Sequence, residues 1–134
     1  MVRVERRDDV AAGVELITLD RPEVRNAVDH ATLLALLEAI DRVAHPSSGS
    51  RVVVLTGTPP AFSAGADLRG VEESAFADAL AGVLHGFAAL RFPVMAAIDG
   101  PALGAGAQLV AVSDLRVATA ESIVGIPAAK LGLA

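Results

Sequence analysis

Apolar positions along this chain follow two rhythms that take turns. Val2 to Arg7 alternates aliphatic with charged residues, and Val14-Glu15-Leu16-Ile17-Thr18-Leu19-Asp20 is rich in β-branched and aliphatic side chains. Ala11-Ala12-Gly13 lies between them as a hairpin-like turn, so the two segments read as an edge strand paired with its neighbour. Arg21-Pro22 stops that unit. From Asp29 the rhythm changes to a helical period, with Leu33, Leu36, Leu37, Ile40 and Val43 on one face. Asp29 suits an N-cap, and Pro46 with Ser47-Ser48-Gly49-Ser50 ends the helix. Val52-Val53-Val54-Leu55 is then a continuous apolar run, the pattern of a strand covered on both faces. Strand, helix and strand in this order predict a right-handed crossover.

Residues 57–70 form a loop rich in Gly, Pro and Ala. A second amphipathic helix follows, with Phe76, Leu80, Val83, Leu84, Phe87 and Leu90 on one face. Pro93 precedes a third apolar strand, Val94 to Ile98. A Gly-Pro turn, a small-residue helix from about Gly104 to Val112, and a strand from Leu115 to Ala118 complete the pattern. Strands alternating with helices give an α/β fold with a mainly parallel sheet. Residues 1–134 show no repeat, low-complexity tract or linker, and read as one unit.

Composition narrows the function. At 53% hydrophobic and 20% charged, the chain is globular rather than disordered. Aromatics make up 3%, with no Trp or Tyr, which argues against recognition by stacking. The net charge of −5 argues against nucleic acid. With no Cys, disulfides, thiolate metal sites and a cysteine nucleophile are excluded together. MVRVERRDD lacks the apolar core of a signal peptide. The apolar stretch 92–112 is broken at Asp99-Gly100-Pro101, so no membrane span is expected. A cytoplasmic protein is the reading that results, and nothing calls for a metal or a bound cofactor.

Two loops sit where strands hand the chain to helices, a usual place for ligands in α/β sheets. They are Ala61-Phe62-Ser63-Ala64-Gly65-Ala66-Asp67-Leu68 and Asp99-Gly100-Pro101-Ala102-Leu103-Gly104-Ala105-Gly106-Ala107-Gln108-Leu109. Small side chains let a ligand come close to the backbone. The second loop also opens a helix, where free N–H groups and the positive dipole end point outward. A dinucleotide fingerprint fails because Leu109 stands where its last Gly belongs. A nucleophile elbow fails at Ala61, and Ser63 reads as an ordinary loop hydroxyl. The third reading is a pair of backbone donors for an oxyanion, one from each loop.

AFSAGADL at 61–68 and IDGPALGAGAQLVAVSDLRVAT at 98–119 resemble the two signature blocks of the crotonase (enoyl-CoA hydratase/isomerase) family. RPEVRNAVD at 21–29 resembles its N-terminal block, and the likeness runs from Val14 to Ala134. The resemblance implies a ClpP-like β-β-α superhelix, of which residues 1–134 would be the N-terminal portion. A C-terminal helical region that covers the pocket and builds a homotrimer, or a hexamer as a dimer of trimers, would lie beyond Ala134. It further implies fatty acid metabolism, with coenzyme A entering as part of the ligand.

Carried over residue by residue, the oxyanion donors fall on the amides of Ala66 and Ala105. The CoA adenine and pantetheine would meet backbone at Ala64, Ala66, Asp67 and Leu68, and Arg25 and Arg69 would meet its phosphates through a bidentate fork. Asp67 and Asp114 also suit capping or bracing roles. His85, on the second helix, reads as solvent-facing or packed. Hydratases of the family use two glutamates, whose places here hold Gln108 and Ala128. A glutamine amide takes no proton, and general acid–base work contributes roughly 10²–10⁴-fold. GPALGAGAQL and DLRVAT are similar to a mycobacterial-type member lacking both carboxylates. Two expectations stand side by side: an acyl-CoA binder without efficient hydration, or a hydratase or isomerase using a carboxylate from later in the chain.

Overall fold

The computed structural model describes residues 1–127. Strands β1 (Val2–Arg6) and β2 (Val14–Leu19) form the antiparallel hairpin, with Gly13 at φ 81° in the turn. Helix α1 (His30–Ala44) leads to β3 (Val52–Gly57), and α2 (Glu73–Ala88) leads to β4 (Val94–Ile98). Short strand β5 (Pro101–Leu103), helix α3 (Ala105–Val112), β6 (Leu115–Ala118) and β7 (Ile123–Gly125) follow. The main sheet runs β1-β2-β3-β4-β6, parallel beyond the hairpin, and β5 pairs with β7 in a separate two-stranded sheet.

Strand order advances in one direction from β2 to β6. With right-handed crossovers, every intervening helix then lands on the same face of the sheet. Ile17, Leu19, Val53, Leu55, Val94, Ala96 and Ile98 point to that face and are buried against Leu33, Leu36, Ile40, Phe76, Val83 and Phe87. The expectation that β3 is covered on both faces is corrected here: Val52, Val54 and Thr56 are half-buried and alternate with buried neighbours. Apolar content suggested two covered faces, but among the described residues the topology supplies helices to only one. Among the described residues, the single direction leaves no reversal of strand order from β2 to β6 and no crevice of the doubly wound kind.

Local chemistry explains the element ends. The Thr32 N–H and hydroxyl both donate to Asp29 Oδ1 (2.8 and 2.7 Å), which caps α1 as its sequence predicts. Buried Glu15 accepts from Arg6 (2.7 and 2.9 Å) and from the Ser50 hydroxyl (3.1 Å), joining the hairpin to the turn before β3. Asp114 Oδ2 accepts from Val94 N–H at 2.8 Å, so this carboxylate braces the start of β4. No helix among the described residues is long and apolar enough to cross a membrane.

Candidate functional site

The two small-residue loops meet through their backbones. Phe62 and Ser63 N–H both donate to Pro101 O (3.0 and 3.1 Å), and Leu103 N–H donates to Ser63 O (2.9 Å). Ser63 and Ala102 thus form a parallel bridge. Glycine makes the approach possible. A Cβ on Gly106 would lie 2.6 Å from Ser63 O, and one on Gly65 (φ 121°) would lie 3.3 Å from Leu103 O. Ser63 itself is fully buried, and its hydroxyl oxygen accepts from Gly65 N–H at 3.4 Å.

The direction of the Ala66 amide follows from its neighbours. Val28 N–H donates to Gly65 O at 2.7 Å, and Asp67 N–H donates to Val28 O at 2.8 Å. In a planar trans peptide, C=O and N–H point opposite ways. Holding Gly65 O against Val28 therefore turns the Ala66 N–H away from residues 25–28. Ala105 obeys the same rule. Gly104 (φ 54°, ψ −117°, a conformation that favours glycine) directs its carbonyl down α3 to Gln108 N–H at 3.1 Å, and its own N–H donates to Gly125 O at 3.0 Å. The Ala105 N–H accordingly points out of the helix N-terminus, along the positive end of its dipole. Among the described residues, neither amide has a protein acceptor. Ala66 is exposed, whereas Ala105 is only 5% exposed. An amide without an acceptor in a buried residue is uncommon and costly.

The other positions differ in exposure and partners. Ala64 and Leu68 are exposed, and Ala64 N–H donates to Arg25 O at 2.9 Å. Arg25 is exposed, and it is its carbonyl that meets the first loop. Arg69 forks onto Asp67 (Nε–Oδ1 2.9 Å, Nη2–Oδ2 2.8 Å). That pairing, with the Arg69 backbone N–H, lowers the Asp67 carboxyl to a pKa of about 2. Nearby Asp29 pairs with Arg21 (3.1 Å). Burial raises its pKa, but the Thr32 hydrogen bonds and the Arg21 charge outweigh that and leave it lowered. Gln108 is exposed in the first turn of α3, and His85 is exposed on α2. Ala128 lies outside the described residues.

Sequence reasoning passed over Asn26. It is 2% exposed at φ 56°, and it binds Arg21 N–H, Thr58 O and Ala61 O. The available signal is that Asn is among the few non-glycine residues that enter the left-handed region readily. Two clefts of about 520 Å³ open elsewhere, one at the C-terminal ends of α1 and α2 and one beside Arg6 and Glu15, and neither includes a residue of the two loops.

The family model described as enoyl-CoA hydratase/isomerase matches residues 9–134. The probable enoyl-CoA hydratase echA6 of Mycobacterium leprae is 42% identical over 127 residues, covering 92% of this chain and 51% of the relative. The 2,3-dehydroadipyl-CoA hydratase of Escherichia coli is 37% identical over 124 residues, covering 90% and 48%. Among solved structures, an enoyl-CoA hydratase/carnithine racemase from Magnetospirillum magneticum superposes with a TM-score of 0.86 at 28% identity, covering 99% of this chain and 51% of that one. The chain spans about half the length of the curated relatives it matches. Its α/β architecture is that of about half of a crotonase fold, and the chain belongs to the enoyl-CoA hydratase/isomerase family.

Proposed function

We propose that this chain holds a fatty acyl-CoA thioester, with its carbonyl oxygen between the amides of Ala66 and Ala105, and does not hydrate it efficiently. The observation that carries this reading is a pair of amides, on two loops locked together by backbone hydrogen bonds, that have no acceptor among the described residues. A thioester oxygen satisfies both donors, and donors already fixed in direction stabilise the negative charge that grows there without reorganising. Adenine and pantetheine would run along the backbone of Ala64, Ala66, Asp67 and Leu68. Arg25 is exposed to meet a phosphate, whereas Arg69 would exchange Asp67 for one.

Weak hydration follows from the side chains around the amides. Gln108 stands one helical turn beyond Ala105, where a proton-transferring carboxylate would be needed, and its amide has no proton affinity at neutral pH. Ala128 supplies no acid either. Relatives described as hydratases favour the second reading, in which a carboxylate outside residues 1–134 does the chemistry.

Incubating the full-length protein with crotonyl-CoA and longer enoyl-CoA separates the two. Loss of the conjugated thioester absorbance reports hydration, and calorimetry reports binding. Binding without turnover is expected. Brisk hydration would overturn the carrier reading in favour of the enzyme, and absence of binding would overturn both.

A further inference from the structure

Asn26 uses its whole side chain on the main chain. Oδ1 accepts from Arg21 N–H at 2.7 Å, and Nδ2 donates to Thr58 O and to Ala61 O, both at 2.8 Å. Its partners are the residue that opens the turn, the exit of β3 and the entrance of the first loop. The backbone at Arg25 and Asn26 is left-handed (φ 54° and 56°), a conformation that must be held in place. Space around the amide is closed as well: a Cβ on Gly57 would lie 2.9 Å from Nδ2.

What this anchor holds is the template for the first loop. Directly after the kink, residues 25–28 contact residues 64–67 through three backbone hydrogen bonds: Ala64 N–H to Arg25 O, Val28 N–H to Gly65 O, and Asp67 N–H to Val28 O. The middle bond fixes the Gly65–Ala66 peptide plane. We propose that Asn26 is a positioning residue, which sets the direction of the Ala66 N–H and through it the polarisation of a bound thioester, without touching the ligand. This rests on the acyl-CoA reading above. Carboxamide chemistry is required at this place. Two carbonyl oxygens and one N–H must be met at once, and a carboxylate would set oxygen against Thr58 O and Ala61 O.

The test uses 2,4-hexadienoyl-CoA, whose absorbance moves to longer wavelength when its carbonyl accepts hydrogen bonds. Asn26→Gly keeps the left-handed backbone and removes all three side-chain bonds. Asn26→Asp keeps the shape and removes the donor. Both variants are expected to bind the probe within a few-fold of the wild-type Kd, while the red shift collapses toward that of the free thioester. In ligand-free ¹H–¹⁵N spectra, the amides of Ala64 to Asp67 should move while those near Val83 and Phe87 stay.

A full red shift in both variants would overturn the positioning role and leave acyl-CoA binding intact. Failure of both to fold would assign Asn26 to general stability and overturn it too. Absence of a red shift in the wild type would sink the acyl-CoA reading and the ligand part of this proposal. The ligand-free amide shifts would then still decide whether Asn26 orients Ala66.

Discussion

Gly106→Ala reverses the usual sign of a helix glycine substitution. In an open helix the change gains about 0.5–1 kcal/mol, because alanine loses less backbone entropy on folding. Here the new Cβ would lie 2.6 Å from Ser63 O and 2.9 Å from Ser63 Cβ, and the oxygen belongs to the backbone of the first loop. Ordinary contact begins at 3.4 Å, so α3 must retreat from Ser63 by about 0.8 Å, or the loop must. Overpacking of this kind costs roughly 1–3 kcal/mol, more than the propensity gain. The same retreat displaces the Ala105 amide relative to the first loop, and a misplacement near 1 Å can cost about 10²-fold in a positioned reaction. Urea denaturation should therefore show a loss of about 1–2 kcal/mol, and the hexadienoyl-CoA red shift should fall in parallel. Gly82→Ala on α2 is the internal control: its Cβ would meet Leu37 Cδ2 at 3.4 Å, an ordinary contact. That variant should be neutral, or more stable by up to about 1 kcal/mol. If Gly106→Ala proves as stable as Gly82→Ala and keeps the full red shift, the close approach of the two loops does not position the amides.

Gln108→Glu combined with Ala128→Glu should restore part of the roughly 10²–10⁴-fold that acid–base groups contribute, read as hydration of crotonyl-CoA. Continued inactivity with binding preserved would mean that more than two carboxylates is missing. Asp29→Ala removes the cap of α1 and the partner of Arg21, and should cost about 0.5–2 kcal/mol in urea unfolding. A loss of only a few tenths would show that neighbouring contacts hold the helix end without it. The Asp67 carboxyl, lowered from 3.8 to about 2 in the folded chain, stabilises the fold fully above pH 4 and loses that contribution as pH falls toward 2. A ¹³C titration of its side chain should give that midpoint, and Arg69→Ala should move it back up. A wild-type midpoint near 4 would contradict the Asp67–Arg69 pairing.

Elements with many residues in one rhythm were legible in the sequence. Asp29 and the Leu33-Leu36-Ile40-Val43 face mark α1 without reference to anything distant, and the hairpin is local too. Strands β5 and β7 carry three residues each and show no period. Their pairing, Pro101 with Ile123 through Leu103 with Gly125, depends on where the intervening helix returns the chain. The half-open face of β3 escaped notice for a similar reason, since coverage depends on the direction in which strands are added. At the site, glycine spacing exposed both loops. Asn26 stayed hidden because its carbonyl partners lie 32 and 35 residues away and belong to the main chain, where side-chain identity leaves no mark. Arg69 looked available for phosphate, while the carboxylate two residues before it takes up the guanidinium.

The proposed donors at Ala66 and Ala105 are peptide groups, and this bears on how such a site can drift. No side-chain change at either position deletes an N–H; only proline does. On that proposal, carbonyl binding is insulated from the mutations that remove proton-transfer groups: Ala105 and Gln108 share α3, yet one contributes its main chain and the other only its side chain. A lineage can lose hydration in one or two substitutions and still keep a pocket that grips thioesters. From that state, new chemistry needs only a new side chain beside a carbonyl that is already held.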